Sequence, residues 1–83
     1  MKYYVVIGTY GRNDNDIVGY FKDINNAKEA LKNANNHNRE WNDKAGNVIN
    51  FNDYTAEEIV NNQIHFFNYY NYYIEEREII FND

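Results

Sequence analysis

The chain has no cysteine, no proline and no serine, and only four glycines among its 83 residues. Without cysteine it can form neither a disulfide nor a thiolate metal site, so packing, hydrogen bonds or a partner subunit must hold it together, and a reducing cytoplasm suits it. Serine and cysteine are the common oxygen and sulfur nucleophiles, and only Thr9, beside a turn, and Thr55, in a capping motif, remain in their place. No apolar run approaches the roughly 20 residues of a membrane span. The stretch Met1–Ile7 lacks the long apolar core and small-residue cleavage site of a signal peptide. The expectation is a protein that stays in the cytoplasm of the cell that makes it, with no membrane partner.

Other chemical signatures are missing as well. His37 and His65 lie in unrelated segments and lack the spacing that puts two zinc ligands on one helix face. Asp14 and Asp16 alternate as in a calcium loop, but the glycine and distant glutamate of that loop do not follow. Gly8–Gly11 is too short for a phosphate loop and leads into a strand. The sequence therefore predicts no catalytic residues, no metal, no cofactor and no enzyme activity.

A chain of 83 residues has room for one hydrophobic core, so residues 1–83 read as a single domain. Nine tyrosines, five phenylalanines and seventeen asparagines dominate the rest. The codon bias of an A/T-rich genome accounts for Asn, Lys, Ile, Tyr and Asp together. The other reading is a contact surface, with tyrosine as rigid contact area and asparagine as polarity without charge. The formal net charge of −5 is unevenly spread. Residues 1–44 carry seven Lys/Arg against six Asp/Glu, whereas residues 45–83 carry seven acids against Arg77 alone. The basic residues stand singly, which disfavours direct nucleic-acid binding.

Tyr3–Ile7 is rich in β-branched and aromatic residues and stops at Gly8, the pattern of a buried strand. Gly11–Asp16 has turn chemistry, and Ile17–Lys22 reads as a second strand with Ile17, Gly19 and Phe21 on one face, completing a hairpin. Asp23 or Asn25 can cap a helix whose Ile24, Ala27, Ala30, Leu31 and Ala34 form one apolar stripe against that hairpin. Residues 35–52 read as a loop holding at most a short strand around Val48. Thr55–Glu58 matches a capping box, and Ile59, Val60, Ile64 and Phe67 extend an apolar face, predicting a helix over 56–69. Tyr72–Phe81 closes the chain as a strand whose central charges mark a sheet edge. The expected fold is α+β: a small three- to four-stranded, mainly antiparallel sheet with two helices packed on one face.

The segments Lys2–Val6, Val18–Phe21, Asn26–Leu31 and Tyr73–Ile79 together form a layout that resembles small uncharacterised proteins of bacteriophages and mobile elements. The likeness covers both ends of the chain and skips residues 35–60. It implies a phage or prophage origin, and with it an anti-defence role such as inhibition of CRISPR–Cas by occupying a surface of a host protein. It carries no functional residue over.

Two features then remain as candidate partner-binding sites. Glu75, Glu76 and Glu78 with Glu57 and Glu58 can form an acidic patch that imitates the phosphate array of DNA, or simply a solvated strand and helix start. The run from Phe66 to Tyr73 holds more aromatic surface than so small a core can bury, so part of it should be exposed, and Tyr69, Tyr70, Tyr72 and Tyr73 read either as contact residues or as core. The leading expectation is an inhibitor or adaptor that binds a host protein, one class being a nucleic-acid-binding effector. Its rivals are a homodimeric accessory or structural phage domain with the aromatic cluster between subunits, and a small-ligand sequestering protein that uses the cluster as a pocket for a nucleotide-like molecule.

Overall fold

The computed structural model of the chain describes residues 1–83, apart from the side chains of Asp14 and Asn15. The Asp14 part of the calcium-loop spacing therefore lies outside the described residues. Six strands, β1 (Lys2–Tyr10), β2 (Asn13–Phe21), β3 (Trp41–Asn42), β4 (Val48–Ile49), β5 (Phe66–Asn68) and β6 (Tyr70–Glu78), accompany two helices, α1 (Ile24–Ala34) and α2 (Ala56–Asn61). The fold is α+β. Four strands form an antiparallel sheet in the order β2-β1-β6-β5, while β3 and β4 make a separate two-stranded ribbon.

The most apolar run of the chain takes the centre of that sheet. β1 lies between β2 and β6, and Val5, Val6 and Ile7 are all fully buried. Its outer neighbour returns through a two-residue loop, because Gly11 supplies the positive φ of +62° that the first position of a tight primed turn requires. The expected turn over Gly11–Asp16 is thus too long, and β2 resumes at Asn13. A bulge between Val6 and Ile7 also breaks the expected alternation of Ile17, Gly19 and Phe21. Ile17 lies opposite Ile7, whereas Phe21, opposite Tyr4, packs against the core.

Asp23 caps α1 by accepting the Asn25 N–H at 2.8 Å, and Ala27 and Leu31 are its buried residues. At α2 the capping box forms: Thr55 Oγ1 accepts the Glu58 N–H at 3.2 Å, and the Thr55 N–H donates to Glu58 Oε1 at 2.9 Å. That helix does not run to residue 69 as expected. It stops at Asn61, Asn62 caps it, and Gln63 turns out at φ +49°. The aromatic run beyond is strand, since Phe66 and Phe67 alternate between buried and exposed, as pleating demands. The last strand likewise starts earlier and ends earlier than expected. Residues 79–83 lie outside it, although one further ladder pair joins Met1 to Ile79.

One core cluster unites Val6, Ile74 and Phe66 of the sheet with Ala27 and Leu31 of α1, Ile59 of α2, Ile64 and Phe51. Both helices pack through it on a single face of the sheet.

Three substitutions rank the forces in urea melts. Leu31→Ala loses a fully buried side chain and costs about 2–5 kcal/mol, and Thr55→Ala removes one cap and costs about 1 kcal/mol. Gly8→Ala places a Cβ 2.6 Å from the Tyr72 ring and is destabilising in a site without space for it. A Thr55→Ala loss larger than that of Leu31→Ala would contradict the placement of α1.

Candidate partner-binding surface

The four candidate tyrosines do not share a surface. Tyr70 and Tyr72 alternate with Tyr73 along β6, so they lie on the helix-covered face and Tyr73 on the opposite one. Tyr69 forms the tip of the β5–β6 turn at φ +66°, and it is 72% exposed. Its ring stacks on Tyr10 at 6.1 Å and meets Tyr70 edge-on at 4.7 Å. From there the rings continue inward through Tyr72, Phe66 and Trp41 to Phe51, each within 6.3 Å of the next. The aromatic run is therefore a stack of rings from tip to core, filled by its own side chains.

Tyr72 is the pivot of that stack. Its ring passes over Gly8, and its hydroxyl donates to Asp16 Oδ2 at 2.7 Å on the far side. Burial first, and then the bond to the Asp16 carboxylate and its charge, push the Tyr72 pKa up to about 12.

The candidate acids are divided in the same way. Glu75 alternates with Glu76 and Glu78 across the two faces of β6. Its carboxylate accepts from Arg77 Nε at 3.0 Å, and it holds the Arg77 pKa above its already high ordinary value. Glu76 sits 3.9 Å from Lys2 Nζ. Glu58 is engaged in the cap of α2, where the Thr55 N–H and hydroxyl hold its carboxyl below the usual range. Glu57 and Glu78 are exposed and form no ion pair among the described residues. The edge reading holds locally, because β5 pairs only with Tyr70–Tyr72 and leaves Tyr73–Glu78 bonded on the β1 side alone.

Sequence reasoning missed the face of the sheet turned away from the helices. Val5 and Ile7 belong to it. Both are fully buried, yet they stand outside the core cluster. Their cross-strand neighbours on that face are Tyr20 and Glu75 for Val5, and Ile17 and Tyr73 for Ile7. Tyr20 is 62% exposed, Phe67 60%, Val18 41% and Ile17 40%. Both helices pack on the opposite side through the core cluster, and at the Thr9–Asn71–Tyr73 end this face is bordered by Lys44 of the ribbon turn with Gln63 and His65. The signal was available in the alternation of β5, where buried Phe66 sends Phe67 outward, but it depends on reading 66–68 as strand.

Among the described residues no group of three His, Cys, Asp or Glu side chains is placed to hold a metal ion, and no helix is long and apolar enough to cross a membrane.

The Tyr72 contact has a pH signature. A raised pKa means that folding favours the neutral phenol, so this stabilisation is complete below the unfolded value of about 10 and disappears as pH rises through about 12. Tyrosinate absorbance should show a late step that vanishes in Tyr72→Phe. In Asp16→Asn the step should move down only part of the way, because burial is the larger cause. An unmoved step in Asp16→Asn would show that the carboxylate contributes nothing. No family model, curated protein or solved structure matches this chain.

Proposed function

We propose that the chain is a binding protein of phage origin that inhibits a host protein by occluding part of its surface, with the uncovered sheet face as the contact area. The observation that carries this reading is the exposure of Tyr20, Val18 and Ile17 along β2 beside the buried pair Val5 and Ile7, with Phe67 a separate exposed ring on β5 beyond Thr9 and Asn71. An apolar centre with aromatic anchors and a polar rim is the anatomy of a protein interface. Here the rim is Thr9, Asn71 and the Glu75–Arg77 ion pair, whose charges cancel. The phage setting and the anti-defence role come from the resemblance of the sequence segments at the two ends of the chain.

The acidic residues have a secondary part in this reading. Glu75, Glu76 and Glu58 already have partners within the chain, which weakens a DNA-mimicking array and leaves long-range steering toward a basic surface as their contribution. A homodimer through the same face is the second reading, favoured by the same apolar exposure.

Phage restriction assays separate these roles. Expression of the chain in a host that blocks a phage through CRISPR–Cas should restore plaque formation, and Tyr20→Ala with Phe67→Ala should reduce that rescue by about tenfold or more with the fold intact by circular dichroism. Reversal of Glu75, Glu76 and Glu78 to Lys should produce the smaller loss, and the loss should grow less with rising salt. Size-exclusion chromatography with light scattering should give a monomer, whereas a dimer dissolved by the Tyr20/Phe67 variant would favour the second reading. No rescue by the natural chain would overturn the anti-defence role.

A further inference from the structure

On the helix-covered side, away from the open sheet face, the end of α1, the loop after it, the ribbon and the 3₁₀ turn over Phe51–Asp53 border an open cleft of about 530 Å³. That volume lies within the range of small-molecule sites. Its apolar wall is Trp41, Ile49 and Phe51, with Trp41 and Phe51 packed ring against ring at 4.2 Å. Six of its ten lining residues are asparagine, against seventeen in the 83-residue chain, so the amides are concentrated here well beyond the compositional bias.

Those amides have two roles. Asn35 and Asn50 build the walls. Buried Asn35 donates to the Arg39 carbonyl and accepts the Arg39 N–H, both at 2.8 Å, which fixes the loop, and Asn50 accepts the Asn52 N–H at 3.1 Å. Asn33, Asn36, Asn38 and Asn52 line the same cleft and are exposed, and their side chains make no hydrogen bond among the described residues. Four amides thus present a donor and an acceptor each beside an aromatic wall. No carboxylate lines the cleft, which disfavours a cation, and Lys32 is its one charged residue, too few for a phosphorylated ligand.

We propose that this cleft binds a neutral saccharide. Each sugar hydroxyl is both donor and acceptor and matches an amide, while the C–H face of a pyranose packs on an aromatic ring. The site shares no residue with the open sheet face, so the two readings stand or fall separately.

Trp41 is the only tryptophan of the chain and lines the cleft, so its fluorescence reports occupancy directly. The natural protein is titrated with maltose, cellobiose, chitobiose and their longer oligomers, with adenosine and AMP as the aromatic and phosphorylated alternatives. The expected result is a saturable emission change with at least one neutral saccharide in the millimolar range or tighter, weakened about tenfold or more in Asn33→Ala/Asn36→Ala. Amide shifts in NMR spectra should be confined to residues 32–41 and 49–52. Both substitutions lie on exposed positions, and an unchanged urea melt shows that the variant is folded. Three outcomes would overturn the proposal: no response to any saccharide, a response to adenosine or AMP alone, or equal affinity in the double variant.

Discussion

The rest of the architecture depends on the passage of the Tyr72 ring over Gly8. Asp16, Gly8, Tyr72 and Phe66 stand in one row across β2, β1, β6 and β5, so a single set of contacts spans all four strands of the sheet. A side chain at the Gly8 position would occupy the space of the ring, and a one-residue slip of any strand would carry its member of the row to the other face. The same ring then extends the order beyond the sheet. Phe66 stacks on it at 5.0 Å, Trp41 meets Phe66 edge-on at 5.0 Å, and Phe51 closes on Trp41. The ribbon is thereby anchored to the sheet through aromatic packing, with an isolated bridge between Asn42 and His65 beside it.

A second constraint is arithmetic. The two helices have eleven and six residues, enough to cover one face of a four-stranded sheet and no more. Lys28 tightens that cover by donating to the Tyr54 carbonyl at 2.7 Å and lying 5.7 Å from the centre of the Phe51 ring, which ties α1 to the segment that leads into α2. On the far face the central residues, Val5 and Ile7, are buried beside Tyr20, Glu75, Ile17 and Tyr73, their cross-strand neighbours on that face.

How much of this was legible depended on whether the determining contact was local. The capping box at Thr55 and the stripe of α1 are local, and both were readable. The terminal strands were readable too, because Tyr3–Ile7 and the C-terminal run are the most β-prone segments of the chain. The region from Asn61 to Tyr69 was not, since Ile59, Val60, Ile64 and Phe67 fit helical spacing as well as they fit a helix end, a left-handed Gln63 and a strand. Only pairing with β6 decides between them. The candidate site suffered from the same limit. Glu75–Glu78 and Tyr69–Tyr73 look like blocks in the sequence, but a pleated strand sends alternate members of each block to opposite faces. The amide cleft was illegible for a different reason, because it joins residues 32–38 to 49–52 through a loop without periodicity.

Beyond the short β5, two stretches of strand edge lack a partner in the sheet, the Tyr73–Glu78 part of β6 and the outer side of β2, and they are not equivalent. Along β6 the unpaired edge carries Glu76 and Glu78, which repel a second copy of the same edge. Along β2 the segment from Ile17 to Phe21 is free of charge, and Ile17, Val18 and Tyr20 within it are exposed. Register shifts interrupt the β1–β2 pairing at two points, and such irregularities twist an edge away from flat pairing. They restrain extension of the sheet without hiding its side chains. Backbone pairing is thus discouraged at one edge by charge and at the other by shape, while the apolar face beside β2 stays accessible. A partner on that face would gain contact area from side chains and need few main-chain hydrogen bonds, so the fit would depend on Tyr20, Val18 and Ile17.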